Sequence, residues 1–182
     1  YTFVDKSLLI AELLERGAEV TLIARPRRFG KTLNLSMLQH FFAAEVYGQK
    51  TRALFDGLAI ASRPGAMAHQ GRYPVIFFSF KDIKVESLQA FENALRGMLS
   101  SLYRQYPELI DSPRLRARDH YDIERLLRPE ATLAEMGGIF KLLAELLYKH
   151  YGRKVVILLD EYDTPIHAAY NHGFYGPLIG FM

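Results

Sequence analysis

Two short groups of residues in this sequence have the types and order needed for chemistry on phosphates. The first is Gly30-Lys31-Thr32, at the end of the loop Arg25-Pro26-Arg27-Arg28-Phe29-Gly30-Lys31-Thr32. Glycine lets backbone approach an anion closely. A helix starting here aims N–H groups and the positive end of its dipole at that anion. Lys31 reaches the β- and γ-phosphates of a nucleotide, and the Thr32 hydroxyl ligates Mg²⁺. The expected nucleotide contacts are Arg27, Arg28, Phe29, Gly30, Lys31, Thr32 and Leu33. The second group is Asp160-Glu161, which follows the apolar run Val155-Val156-Ile157-Leu158-Leu159. Asp160 is expected to join Thr32 in holding the metal, and Glu161 to polarise an attacking water. Lys31 and Glu161 are thus the candidate catalytic groups, and ATP with Mg²⁺ the expected cofactors.

Neither group is decisive alone. Gly-Lys-Ser/Thr arises by chance in roughly one chain in ten of this length. An ordinary strand-to-helix turn with a helix-starting Thr is the plain alternative, as is a strand that merely ends in two solvated acids. Placement raises both groups, because each follows an apolar, β-favouring run and so falls at the same edge of a parallel sheet. The usual phosphate loop has a glycine five residues before Gly30 and often another two before it. Arg25 and Arg28 stand there instead, and a positive φ is costly for Arg. Either the loop takes another path, or the arginines add phosphate contacts as planar donors, or they are solvated surface charge.

The elements that must position these groups can be read from periodicity. Residues 5–16 have helical spacing, with Leu8, Leu9, Ile10, Leu13 and Leu14 apolar, Asp5 or Ser7 as a cap and Gly17 as a stop. Residues 19–24 read as a buried strand. Residues 32–46 return to helical spacing, with Leu33, Met37, Leu38, Phe41 and Phe42 on one side. Residues 74–80 read as a second buried strand, 86–105 as a long helix, and 131–151 as a helix with a weak point at Gly137-Gly138. Residues 154–159 read as a third strand. Residues 106–130 are charged and carry Pro107, Pro113 and Pro129, which suggests a surface excursion. Alternating strands and helices predict an α/β fold, a parallel sheet covered on both faces.

Composition excludes several classes. The chain has 182 residues, one domain's worth, and 49% are hydrophobic, enough for a real core. It has no cysteine, so disulfides and Cys-based zinc sites are ruled out, and a reducing, cytoplasmic setting is expected. No apolar run reaches the ~18 residues of a membrane span. The net charge of +3 is mild and does not by itself imply nucleic acid. It is concentrated at Arg25, Arg27, Arg28 and Lys31, as suits a local anion site.

The motif segments resemble the AAA-ATPase-like family of P-loop proteins. The resemblance rests on Arg25–Thr32 with the upstream Phe3-Val4-Asp5-Lys6-Ser7, on Tyr73–Asp82, and on Val156–His167, and so spans nearly the whole chain. It makes the arginine-rich loop the expected form. It implies a three-layer P-loop sandwich, an ATPase domain of which residues 1–182 are the N-terminal portion. A C-terminal domain resembling a PD-(D/E)xK nuclease often follows in such proteins, so any role in DNA cleavage would be indirect. In this broad class the strand between the two motif strands, a polar sensor residue and any arginine finger come later in the chain. The sheet is therefore expected to be truncated on its C-terminal side, with weak binding and poor turnover.

Two other readings stay open beside the ATPase: a nucleotide-sensing scaffold without turnover, and a nucleic-acid-binding module using the arginine loop with Arg114, Arg116 and Arg118. Asp163 and His167 could position water, although a helix cap with a solvated His is the plainer reading. His40, His69, His120, His150 and His172 lack metal-ligand spacing. Tyr1 and Phe3 could pack on adenine, or Phe3 could staple the first helix. Lys81-Asp82 reads as a turn.

Overall fold

Leu9, Ile10, Leu13 and Leu14 recur at helical spacing, and helix α1 forms over Leu8–Arg16. Gly17 ends it at φ 59°, the left-handed stop that glycine adopts without penalty. The structure, a computed structural model, describes residues 4–24, 29–83, 85–179 and 181. Tyr1, Phe3, Arg25, Arg27 and Arg28 lie outside the described residues, and so do the expectations placed on them. The chain divides into two units, Tyr1–Phe77 and Phe78–Met182.

In the first unit the expected cap of α1 takes a different form. The Ser7 hydroxyl does not cap the helix. It is fully buried and accepts the Ile60 N–H at 3.0 Å. The Asp5 carboxylate accepts the Ser7 N–H at 2.8 Å and the Ala59 N–H at 2.6 Å. The segment before α1 is thus tied to the 3-10 turn Ala59–Ser62. The Ala59 N–H, then that of Ser7, holds the Asp5 carboxyl below its ordinary value of 3.8. A depressed folded-state pKa stabilises the fold above the unfolded value and ceases to do so as pH falls through the folded one. Asp5→Asn is therefore expected to lower Tm at neutral pH, with a deficit that shrinks as pH falls below 3.8. Thermal melts of both proteins across that range check this, and a pH-independent deficit would assign the effect to shape alone.

Helix α2 (Lys31–Phe42) begins at the lysine of the phosphate motif. It buries Leu38, Phe41 and Phe42, and Phe41 meets Phe55 edge-on at 5.1 Å. Leu33 was expected on that face but is 71% exposed, at the helix start. The helix also stops four residues before 46. Ala43 turns to extended backbone, and Glu45–Val46 (β1) pairs antiparallel with Gln49–Lys50 (β2). Tyr47 and Gly48 make the turn, both at positive φ (50° and 77°), as a tight hairpin requires. A short helix α3 follows at Pro64–Met67.

The expected strand at 19–24 is not formed. Its residues have no strand assignment, and Val20 and Leu22 are 88% and 67% exposed. A β-favouring run becomes a strand only beside a neighbour that takes its N–H and C=O groups. Among the described residues no sheet includes this run.

Strand β3 (Val75–Ser79) spans the division between the units, and its sheet partner is β4 (Val156–Asp160), in parallel. Just past β3, the Phe80 N–H donates to the Asp160 C=O at 3.0 Å. Leu158 is buried, but Ile157 and Leu159 are 41% and 39% exposed. One face of β4 is covered, not the two that its unbroken apolar run predicts.

The helices of the second unit follow their expected spans closely. Helix α4 (Leu88–Tyr103) is capped by the Ser87 hydroxyl, which accepts the Ala90 N–H at 3.3 Å, and it buries Phe91, Leu95, Leu99 and Leu102. The expected excursion at 106–130 is largely structured. It holds a 3-10 turn at Pro107–Leu109 and helix α5 (Ala117–Leu127), which buries Ile123 and Leu126. Its prolines flank the helix without interrupting it, and its charges lie on the outer side of an amphipathic segment. Helices α6 (Leu133–Met136) and α7 (Ile139–Tyr151) are separated at the glycine pair. A Cβ on Gly137 would lie 3.1 Å from the Phe181 carbonyl oxygen. The Lys149 ammonium donates to Asp119, joining α7 to α5 and holding the Asp119 carboxyl low. Helices α8 (Asp163–His172) and α9 (Tyr175–Ile179) end the chain. Among the described residues no helix is long and apolar enough to cross a membrane.

Candidate functional site

The two polar groups singled out in the sequence fall in different units, and each is built within its own. In the first, Gly30 precedes α2 at φ 77°, in the left-handed region. A side chain there would be strained. The first intrahelical hydrogen bond runs from the Asn34 N–H to the Gly30 C=O at 2.9 Å. The amides of Lys31, Thr32 and Leu33 therefore precede the helical ladder and point out of its N-terminus. Lys31 is half-buried, whereas Thr32 and Leu33 are exposed. Phe29 is 61% exposed. Gly30, Lys31, Thr32 and Leu33 are thus brought together at one helix start, as their sequence order predicts.

In the second unit, β4 delivers Asp160 at its last position. Its side chain is only 2% exposed, and one carboxylate oxygen accepts the Glu161 N–H at 3.1 Å. Glu161 leaves the strand at φ 52°, a left-handed conformation uncommon for a residue other than glycine. The turn is held from the far side. The Thr164 N–H donates to the Glu161 C=O at 2.9 Å, and the Thr164 hydroxyl lies 3.5 Å from Oε2 of Glu161. Asp163 opens α8 and pairs with His167 one turn later at 3.8 Å; His167 is exposed and Asp163 half-buried, and no side chain caps the helix, so the expected cap is not formed.

Thr32 offers a hydroxyl in the first unit and Asp160 a carboxylate in the second, each a hard oxygen donor of the kind Mg²⁺ takes. Among the described residues there is no cluster of three or more His, Cys, Asp or Glu that could hold a metal. Mg²⁺ at phosphates takes one or two protein carboxylates, the rest of its shell being water and phosphate oxygen, a use to which the chemistry of the Asp160 carboxylate is suited.

Of the arginines of the alternative basic surface, Arg114 and Arg118 make contacts within their own unit. Arg114 donates to the His150 C=O at 2.8 Å, and Arg118 pairs with Asp122 at 3.8 Å. Three of the other histidines make contacts: His40 with the Ser36 C=O at 2.7 Å, His69 with the Tyr73 hydroxyl, and His150 with the Ser112 hydroxyl at 2.8 Å. One neighbour of the phosphate motif is not marked by residue pattern. The Lys6 ammonium lies beside Gly30, 3.7 Å from where a Cβ there would sit. Spacing gives no hint of it, because residues 7–29 intervene.

The chain is 30% identical over 166 residues to a protein of Azotobacter chroococcum mcd 1 described as "Uncharacterized protein in vnfD 5'region". That match covers 91% of this chain and 26% of the relative, so the chain spans about a quarter of that protein's length. No solved structure matches it. The family described as "Predicted AAA-ATPase" matches residues 1–180. With the phosphate motif at a helix start and the acidic pair at a strand end, the chain belongs to the AAA-ATPase-like family.

Proposed function

We propose that this chain binds ATP with Mg²⁺ and hydrolyses it, as part of a P-loop ATPase domain with a three-layer α/β sandwich whose turnover switches an attached effector domain. The observation that carries this reading is the start of α2. A left-handed Gly30 is followed by Lys31 and Thr32 in the first turn, with amides directed out of the helix end. Family membership supports a nucleotide as the anion.

In this reading the first-turn amides and Lys31 hold the phosphate chain. Lys31 neutralises charge that builds on the phosphoryl oxygens during transfer. Thr32 and Asp160 would hold Mg²⁺, which would supply Lewis-acid withdrawal of charge from the phosphate. Burial of Asp160 keeps its carboxylate in one orientation. Glu161 orients a water and accepts its proton.

Calorimetry of Mg²⁺-ATP against this chain and its Lys31→Ala variant tests the proposal. A charged hydrogen-bond donor of this kind contributes enough that its loss should weaken binding about 10- to 100-fold. Equal affinity in both proteins would remove the start of α2 as the phosphate site.

A further inference from the structure

We propose, resting on the nucleotide reading above, that Lys6 is a second cation of the phosphate site and binds the phosphate chain of a nucleoside triphosphate beside Lys31. The case begins with its placement. A Cβ on Gly30 would lie 3.7 Å from the Lys6 ammonium nitrogen, so the amine sits against the one residue of the loop that has no side chain.

That placement is imposed by both sequence neighbours. Asp5 is fixed by its bonds to the Ala59 and Ser7 amides at 2.6 and 2.8 Å. Ser7 is fully buried and accepts the Ile60 N–H at 3.0 Å. Between them, the Lys6 C=O accepts the Leu9 N–H at 3.0 Å. The backbone at Lys6 is thus held on both sides while its side chain is exposed. Asp5 spends its carboxylate on amides and forms no ion pair with Lys6 among the described residues.

Electrostatics then points to an anion. The N-terminus of α2 carries a positive partial charge, Lys31 adds a full charge in its first turn, and Lys6 adds another beside it. Neither lysine forms an ion pair among the described residues. Two lysines and the partial positive charge of a helix N-terminus gathered at one loop favour a polyanion there. A triphosphate, with more negative charge than a diphosphate, gains most.

The test is calorimetry with Mg²⁺-ATP, Mg²⁺-ADP and inorganic phosphate on the wild-type chain, Lys6→Met, Lys6→Arg and Lys31→Ala. Methionine keeps the aliphatic stem and removes the charge. Lys6→Met is expected to weaken ATP binding about tenfold and ADP binding less, while Lys6→Arg recovers most of the loss. The nucleotide-free Tm should not move. Lys6→Met binding ATP as the wild type does, while Lys31→Ala loses it, would overturn the role of Lys6 and leave the nucleotide site standing. Equal losses for ATP, ADP and phosphate together with a lowered Tm would make Lys6 a structural residue. Undiminished binding in Lys31→Ala would remove the nucleotide site and the proposal with it.

Discussion

Replacing Glu161 by Gln is expected to cut ATP turnover about 10²- to 10⁴-fold, the range a positioned general base supplies, while Mg²⁺-ATP affinity stays the same. The geometry gives the reason. Glu161 is the first residue past β4, and its φ of 52° bends the chain sharply away from the strand direction. Such a conformation costs on the order of 1–3 kcal/mol and persists only where neighbours over-determine it. Here they do: the N–H is taken by the Asp160 carboxylate, and the C=O by the Thr164 N–H at 2.9 Å. The fold therefore maintains a strained turn that re-aims one carboxylate, next to another that is 2% exposed. Gln keeps the length and planarity of the side chain but cannot accept a proton. Phosphate release measured beside calorimetric affinity separates the two properties. Turnover equal to wild type would deny Glu161 the role of base. A wild-type chain that binds ATP through Lys31 and shows no turnover, with Glu161→Gln binding alike, would favour the nucleotide-sensing reading.

Much of the arrangement was legible where local chemistry decides it. Gly17 and the Gly137-Gly138 pair mark chain breaks because glycine adopts or permits backbone that other residues resist, and the structure breaks at both. The long helix at 88–103 announces itself through Phe91, Leu95, Leu99 and Leu102, four residues apart or three. The ends of α2 and β4 carry their polar groups at the expected positions. What failed depends on partners far away in sequence. Residues 19–24 have the composition of a strand, yet strand formation needs a neighbour to pair with. The charges and prolines of 106–130 point to a surface excursion, but α5 seats itself on Ile123 and Leu126, and its first-turn Asp119 accepts the Arg116 N–H at 2.9 Å. The Asp5 and Ser7 side chains were read as helix caps, the usual local use of such residues. They instead hold a turn more than fifty positions away. That choice is invisible to spacing, and it sets where Lys6 stands.

Truncating Phe91 to Ala is expected to destabilise the second unit by about 3–5 kcal/mol, the cost of a large buried ring plus the cavity it leaves. Phe91 is fully buried on α4. Its ring lies 6.2 Å from that of Phe174, between α8 and α9, and 6.2 Å from that of Phe181, beyond α9. Phe181 in turn meets Phe80, the residue whose N–H bonds the Asp160 C=O. One aromatic cluster thus anchors the segment that follows the acidic pair to Phe80, just past β3, whose N–H bonds the last residue of β4. Neighbouring rings are themselves fixed, Phe181 by its backbone against Gly137, so collapse into the void is limited and the full cavity cost should be felt. A loss of that size is a large share of the 5–15 kcal/mol typical of whole domains, so about a third of native stability could go in one step. Urea titrations followed by far-ultraviolet circular dichroism measure it, with Phe91→Leu as the partner variant, expected to lose less than about 1.5 kcal/mol because volume is nearly kept. If both variants unfolded at the wild-type midpoint, α4 would not be seated on the C-terminal segment. If the Ala variant alone is lowered, the ring contacts hold α8, and through it the Glu161 turn, against the sheet.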